Sequence, residues 1–300
     1  MVHIKNPSIV IKEFLNYNDY NRVTKLMEAC IAYDNISLKL ELDYKLSHSF
    51  QKMKDMNNSN EFMFYEGEML IGYIGICQFG AEMMEVNGMV HPDYRRRGVF
   101  SRLYGLVKDE WRKRSTQDML LLSDHHSRSG QAFIKSTEAR YDKSEYEMFL
   151  VNEPKDKTVL SQILLREAMN EDAKEIARQN KIYFQIDPRS ELTLPEEEAK
   201  HGVYIYLAEL EQSCIGKVHL NREDSTGVIF GLGVLPEYRG RGYGREILLR
   251  SIEKLNEKKV DDIKLQVEVK NRNALSLYQT CGFKETSTMD YFKLAKRNFN

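Results

Sequence analysis

Leu232-Gly-Val-Leu-Pro-Glu-Tyr-Arg-Gly-Arg-Gly-Tyr-Gly244 reads as a strand end, a turn and a helix start. The strand runs out near Val234 and Leu235, because Pro236 lacks the N–H that a ladder needs. A glycine- and arginine-rich turn follows. Beyond it Ile247, Leu248, Ile252 and Leu255 fall on one face of an amphipathic helix. A turn of this kind, feeding a helix N-terminus, presents unpaired N–H groups and the positive end of the helix dipole, so it suits an anion. Gly240, Gly242 and Gly244 carry no Cβ and let oxygens approach the main chain, while Arg239 and Arg241 add positive charge. The expected ligand is a diphosphate. It is not held by a nucleotide P-loop, since G-x-x-x-x-G-K-[ST] is absent. Nor is the turn a dinucleotide fingerprint, because Arg245 stands where the last glycine of G-x-G-x-x-G belongs.

Working outward, the same stretch occurs twice. Val90-His-Pro-Asp-Tyr-Arg-Arg-Arg-Gly98 aligns with Val234-Leu-Pro-Glu-Tyr-Arg-Gly-Arg-Gly242, and the same offset carries Ile71-Gly72 onto Ile215-Gly216. Two matches at one offset without a gap indicate a duplicated domain, with a period too long for a solenoid. The periodicity agrees. In the first half it predicts strands at 8–13, 61–65, 69–78, 82–90, 118–123 and 145–151, and helices at 19–32, 43–55, 98–114 and 129–137. In the second half it predicts strands at 162–167, 204–210, 213–220, 227–234, 262–269 and 284–294. Helices are expected from a cap at Asn170 to 182, at 242–257 and at 273–281. The polar stretch 152–157 separates the halves. The expected fold class is mixed α/β (α+β). It comprises two tandem domains, 1–151 and 158–300, each a mixed, mostly antiparallel sheet flanked by helices.

Composition narrows the function classes. The chain has 300 residues, 42% of them hydrophobic and 30% charged, with a formal net charge of −1. Nothing global favours nucleic acid or an anionic membrane as a partner. No apolar run is long enough to span a bilayer and the first residues lack a signal-peptide core, so the expected location is the cytoplasm. Cys30, Cys77, Cys214 and Cys281 are scattered, which argues against a zinc site or a disulfide framework. Asp124-His125-His126 lacks a placed third ligand and reads as a polar loop. No metal is expected.

A second motif follows the strand at 262–269. Asn271, Ala274, Tyr278, Gly282 and Phe283 fit N-x-x-A-x-x-x-Y-x-x-x-G-F. Arg239, Gly242 and Gly244 fit [Q/R]-x-x-G-x-[G/A]. In this order and context the pair resembles the GNAT acyltransferase superfamily over most of residues 160–295. The resemblance implies a co-substrate, acetyl-CoA, whose pyrophosphate lies on the turn of Arg239, Gly240, Arg241, Gly242 and Gly244. It implies that the Val234 N–H pairs with the pantetheine arm and that Asn271 contacts it. The Leu232 N–H would then meet the thioester carbonyl, and Tyr278 would protonate the departing thiolate. It also implies direct transfer to an amine without a covalent enzyme intermediate. In keeping with that, no G-x-S-x-G elbow or cysteine–histidine pair stands out.

Several residues carry plainer readings. Asn271 is equally a helix cap, and Glu268, a candidate base, is equally a solvent-facing strand residue. Water or His219 are the other candidate bases. Glu196-Glu197-Glu198 follow a capping box, Thr193-Leu-Pro-Glu196, and suit a helix start. The segment 182–201 lies where the family builds its acceptor pocket. The first copy departs from both motifs. Phe100 replaces the last small residue, which alone does not abolish diphosphate binding, the asparagine is missing, Phe133 lacks the tyrosine hydroxyl, and Glu138-Ala-Arg replaces Gly-Phe. It is expected to shape the protein rather than to catalyse.

The sequence therefore predicts N-acetyl transfer to a small-molecule or peptide amine by a monomer or homodimer. The alternatives are a non-catalytic acyl-CoA sensor or scaffold, and a protein with both copies active.

Overall fold

In the computed structural model, the described residues are 3–48, 58–78, 83–152, 163–185 and 192–296. The linker 153–157, the end of the expected helix at 43–55 and the middle of 182–201 lie outside them. The chain forms two compact units: Met1–Ser144 with Ser287–Asn300, and Glu145–Thr286.

The N-terminal unit contains β1 (Pro7–Lys12), α1 (Tyr17–Asp34), α2 (Leu42–His48), β2 (Glu61–Glu66), β3 (Met69–Cys77), β4 (Met83–Val90), α3 (Val99–Lys113), β5 (Asp118–Asp124) and α4 (Arg128–Lys135). Strands β1 to β4 form an antiparallel meander, and β5 then pairs parallel to β4. Both faces of this sheet are covered, as the strand pattern requires. Phe62 and Phe64 pack with Leu103, Val107 and Trp111 of α3, whereas Met63 and Tyr65 pack with Val23, Leu26 and Cys30 of α1. Helix α1 opens with a capping box between Asn16 and Asp19.

The C-terminal unit repeats the plan with β7 (Ile163–Glu167), α5 (Ala173–Phe184), α6 (Pro195–Lys200), β8 (Tyr204–Leu210), β9 (Ser213–Glu223), β10 (Thr226–Val234), α7 (Tyr243–Glu257), β11 (Asp262–Glu268) and α8 (Arg272–Thr280). Strands β7 to β10 are an antiparallel meander, and β11 pairs parallel to β10. Ile247, Leu248, Ile252 and Leu255 of α7 pack on Val218, Leu220, Ile229 and Ile263. Ile176 of α5 packs on Ile205 and Leu207.

The closing strands differ from expectation. β6 (Arg140–Leu150) and β12 (Phe283–Ala295) each cross from one unit to the other. Residues 145–149 pair antiparallel with β11 of the C-terminal unit, and residues 289–295 pair antiparallel with β5 of the N-terminal unit. Each unit is thus completed by a strand that the boundaries 1–151 and 158–300 give to the other. Alternation along a strand fixes which face is buried but not which neighbour it pairs with. Two helix starts also differ. Met169, not Asn170, is the cap residue, its N–H bonded to the Asp172 carboxylate, and a short 3₁₀ turn precedes α5. Leu194, not Thr193, caps α6 without a side-chain bond; Glu196 instead bonds Asn170.

Gly282 explains one motif residue structurally. Its φ is +97°, and a Cβ there would lie 2.1 Å from the Asn152 carbonyl oxygen. Its own carbonyl accepts from the Val151 N–H. Gly282→Ala therefore meets a backbone clash and a disfavoured conformation together. The expected loss is about 3 kcal/mol of stability, read as a lower thermal midpoint; an unchanged melt contradicts it.

Candidate active site

The turn between β10 and α7 has the shape the sequence predicts. Pro236–Tyr238 form a 3₁₀ turn, Arg239 is extended, and Gly240 and Gly242 have φ of +74° and +86°. Those positive values favour glycine. Among the described residues, the N–H groups of Gly240, Arg241, Gly242, Tyr243 and Gly244 reach no protein acceptor. A Cβ built at Gly240 meets nothing within 4 Å. The result is a cradle of unpaired amides at the start of a fifteen-residue helix, open to an anion. Arg239 Nε donates to the Val234 carbonyl at 2.8 Å, which pins this cation to the strand end. The Arg241 guanidinium lies 6.0 Å from the Tyr238 ring centroid.

The strand leading into the cradle has an open edge. β10 and β11 pair only from Thr226↔Asp262 to Ile229↔Leu265. Past that point β11 continues beside β6, so β10 loses its neighbour on that side. On its other side the register with β9 shifts between Phe230 and Gly233, a bulge in which Gly231 takes φ +59°. Leu235 N–H bonds the Ile215 carbonyl of β9. By strand alternation Gly233 N–H faces β9 too, and the N–H of Val234 faces the open edge.

Helix α8 stands beside both features. Asn271 caps it, accepting from the Ala274 N–H at 3.2 Å, so the cap reading of Asn271 holds. A Cβ at Gly244 would sit 3.6 Å from Leu277 of α8 and 3.7 Å from Val234. The cradle, the open edge and the helix carrying Tyr278 therefore meet at one place. Tyr278 is buried, and burial pushes its phenol up to about 12, so it stays a proton donor across the ordinary pH range. Among the described residues its hydroxyl bonds to no partner. Glu268 ends β11 opposite Glu145, and its partly buried carboxylate lies 3.8 Å from the Lys270 ammonium.

Two features of the site escape a reading of motifs. Tyr183, near the end of α5, lies flat against Gly233, where a Cβ would come within 2.2 Å of its ring. Its hydroxyl donates to the Gln179 carbonyl oxygen at 2.9 Å. Lys217 of β9 is completely buried, with Nζ 3.0 Å from His219 Nε2. For Lys217 the signal is the stretch Lys217-Val-His219 inside a strand, where polar residues at alternate positions imitate a wet face.

The N-terminal unit keeps the backbone of the cradle. Arg96 and Gly98 have φ of +61° and +77°, close to Gly240 and Gly242. Pairing of β4 with β5 stops at Val86↔Leu121, which opens the same edge. A cleft of about 730 Å³ lies there, lined in part by Leu38, Met89, Phe100, Tyr104, Leu122 and Phe133. Its chemistry differs. Asp34 grips the Arg95 guanidinium with both oxygens, and Phe100 packs edge-on against Phe133 at 4.5 Å between centroids. Asp124 accepts from the Ser37 and His126 N–H groups, and His125 pairs with Asp290. Among the described residues no group of three His, Cys, Asp or Glu is arranged to hold a metal ion. No described helix is long and apolar enough to cross a membrane.

The acetyltransferase (GNAT) family matches residues 166–283. A mycothiol acetyltransferase of Rhodococcus erythropolis is 26% identical over 252 residues, which are 75% of this chain and 81% of that one. The N-alpha-acetyltransferase MAK3 of Arabidopsis thaliana is 32% identical over 93 residues, covering 30% of this chain and 49% of its own. Among solved structures, a GCN5-related N-acetyltransferase from Sphaerobacter thermophilus superposes with a TM-score of 0.76 at 17% identity, over 96% of this chain and 95% of that one. A tandem GNAT protein from the clavulanic acid biosynthesis pathway superposes with a TM-score of 0.70 at 15% identity, over 97% and 98%. At such identities the likeness speaks for the fold alone. Residues 166–283 therefore match the acetyltransferase (GNAT) family, and the chain as a whole shares its fold with GNAT N-acetyltransferases.

Proposed function

We propose that the C-terminal unit takes its acetyl group from acetyl-CoA and passes it directly to an amine. The observation that carries this reading is the run of unpaired amides at Gly240 to Gly244, continuous with a strand edge that lacks a neighbour. The amides would hold the diphosphate, with Arg239 and Arg241 adding charge. The Val234 N–H would hydrogen-bond the pantetheine arm as an added strand does. Asn271, still capping α8, would contact the same arm. Acetyl-CoA supplies an activated acyl carbon, and the chain's own groups do the rest. Leu232 N–H, next to the bulge, would donate to the thioester oxygen and stabilise the negative charge that develops there. Tyr278 would protonate the leaving sulfur. The Glu268 carboxylate is already engaged by the Lys270 ammonium at 3.8 Å and is not assigned the role of base.

The N-terminal unit is proposed to be non-catalytic. Its cradle persists, but Phe133 offers no hydroxyl and Arg95 is neutralised by Asp34. The acceptor would be a small-molecule or peptide amine.

The test is release of CoA thiol from acetyl-CoA with a panel of primary amines. Acceptor-dependent release is expected. Tight binding of acetyl-CoA with no release for any amine would favour the sensor or scaffold reading instead.

A further inference from the structure

Lys217 is the most unusual titratable group in the C-terminal unit. It is fully buried, and among the described residues no carboxylate pairs with it. Its Nζ has two polar neighbours, His219 Nε2 at 3.0 Å and the Gly231 carbonyl oxygen at 3.2 Å. The remaining surroundings come from α5: the ring centroids of Phe184 and Tyr183 lie 5.3 Å and 6.0 Å away, and the Tyr183 hydroxyl is turned to Gln179. From β10, Phe230 stacks edge-on against His219 at 5.1 Å. Burial without a carboxylate partner disfavours the charged form of the amine, so it gives up its proton easily. Burial brings Lys217 down to about 7, and burial with the neighbouring lysine holds His219 well below its ordinary value.

The position matters as much as the chemistry. Gly231, whose carbonyl Lys217 grips, forms the bulge and immediately precedes Leu232. A Cβ on Gly231 would lie 3.1 Å from the His219 ring, so this imidazole rests on the bulge. Lys217 is sealed, whereas His219 is only partly buried. A proton from outside would therefore meet the imidazole first.

We propose that His219 and Lys217 form a two-residue proton relay that deprotonates the incoming acceptor ammonium. This rests on the acyl-transfer reading given above. The acceptor ammonium gives one proton to His219 Nδ1 as His219 passes its Nε2 proton to Lys217 Nζ. The imidazole stays neutral and the new lysine ammonium is hydrogen-bonded to Gly231 O. The freed amine lone pair forms the C–N bond to the acetyl carbon, and the C–S bonding pair leaves with sulfur. Sulfur takes the Tyr278 proton, and the second amine proton restores Tyr278. Lys217 then returns its proton to solvent through His219. One proton is released per acetyl group transferred.

The sign of the pH dependence follows. Lys217 accepts only when neutral, so kcat/KM for an amine should fall as pH drops below about 7 and level off above it. Without the relay only the free amine reacts, and the rate keeps climbing toward the amine's own pKa of about 10. The experiment measures kcat/KM against pH for the best amine of the panel in the wild type, Lys217→Met and His219→Gln. Lys217→Met exchanges a buried amine for an apolar chain of similar length and should fold, and His219→Gln keeps a hydrogen-bonding group without titration. Both should lose at least about tenfold at pH 7.5 and lose the plateau, with acetyl-CoA affinity retained. An equal loss at every pH with the plateau kept would mean a structural role and overturn the relay. Acetyl-CoA binding without CoA release for any amine would remove the acyl-transfer reading and the relay with it. Independently of turnover, a ¹³C titration of the Lys217 ε-carbon should show a midpoint near 7; a midpoint near 10 overturns the proposal.

Discussion

Gly242→Glu is expected to abolish acetyl-CoA binding while leaving the protein folded. Gly242 starts α7 with φ of +86° and ψ of −7°, and its N–H is one of the unpaired amides. A side chain in this left-handed conformation costs about 1 kcal/mol, which a domain tolerates. The effect on the ligand is far larger. A carboxylate about 4 Å from a single phosphate charge repels it by about 1–4 kcal/mol, depending on the effective dielectric. The diphosphate brings two such charges, and the added bulk competes for the same space. The dissociation constant should rise by at least about 100-fold, measured by calorimetry. Gly242→Ala shares the backbone cost without the charge and should lose much less. Equal affinities for glutamate and glycine at this position would refute the cradle as the diphosphate site.

Tyr278→Phe is expected to separate chemistry from binding. The hydroxyl has no partner among the described residues, so removing it leaves no buried group unsatisfied and the fold should be unchanged. Acetyl-CoA affinity should stay within about twofold. The turnover number should fall about 10²-fold, the lower end of the range for general acid catalysis, because a thiolate is already a fair leaving group. Since burial holds the phenol up to about 12, wild-type activity should show no loss between pH 8 and pH 10 from ionisation of Tyr278. Equal turnover numbers would remove Tyr278 as the acid.

Much of this was legible in the sequence, for physical reasons that differ from element to element. The cradle was legible because glycine at 240 and 242 answers a local demand of the backbone, φ near +80°, that neighbours cannot override. The meanders were legible because residues such as Phe62 and Phe64 alternate with Met63 and Tyr65 across a sheet buried on both faces. The exchange of β6 and β12 was not legible, since β5 and β11 offer equivalent edges and the choice between them is a tertiary one. The bulge at Gly231 was missed for a related reason: its cause is the extra residue between two paired stretches, visible only once β9 is placed beside β10. Lys217 was missed because a lysine in a strand reads as solvent-facing, and only α5 closing over it makes it buried. The Asn170 cap failed because Asp172 competes for the same role and prevails through its bond to the Met169 N–H, while also pairing with Arg166.

In the N-terminal unit the backbone of the turn persists while the side chains around it differ. Arg96 and Gly98 keep the turn, yet the Asp34–Arg95 pair and the Phe100–Phe133 contact change what the cleft can hold.

The central claim is that main-chain amides at the start of α7 receive the diphosphate and leave the thioester beside the β10 bulge. A crystal structure of the protein grown with excess acetyl-CoA tests it most directly. Phosphate oxygens should lie about 3 Å from the amide nitrogens of Gly240 to Gly244, with the thioester oxygen at a similar distance from the Leu232 nitrogen. Density for the ligand elsewhere, with these amides bare, would contradict the account.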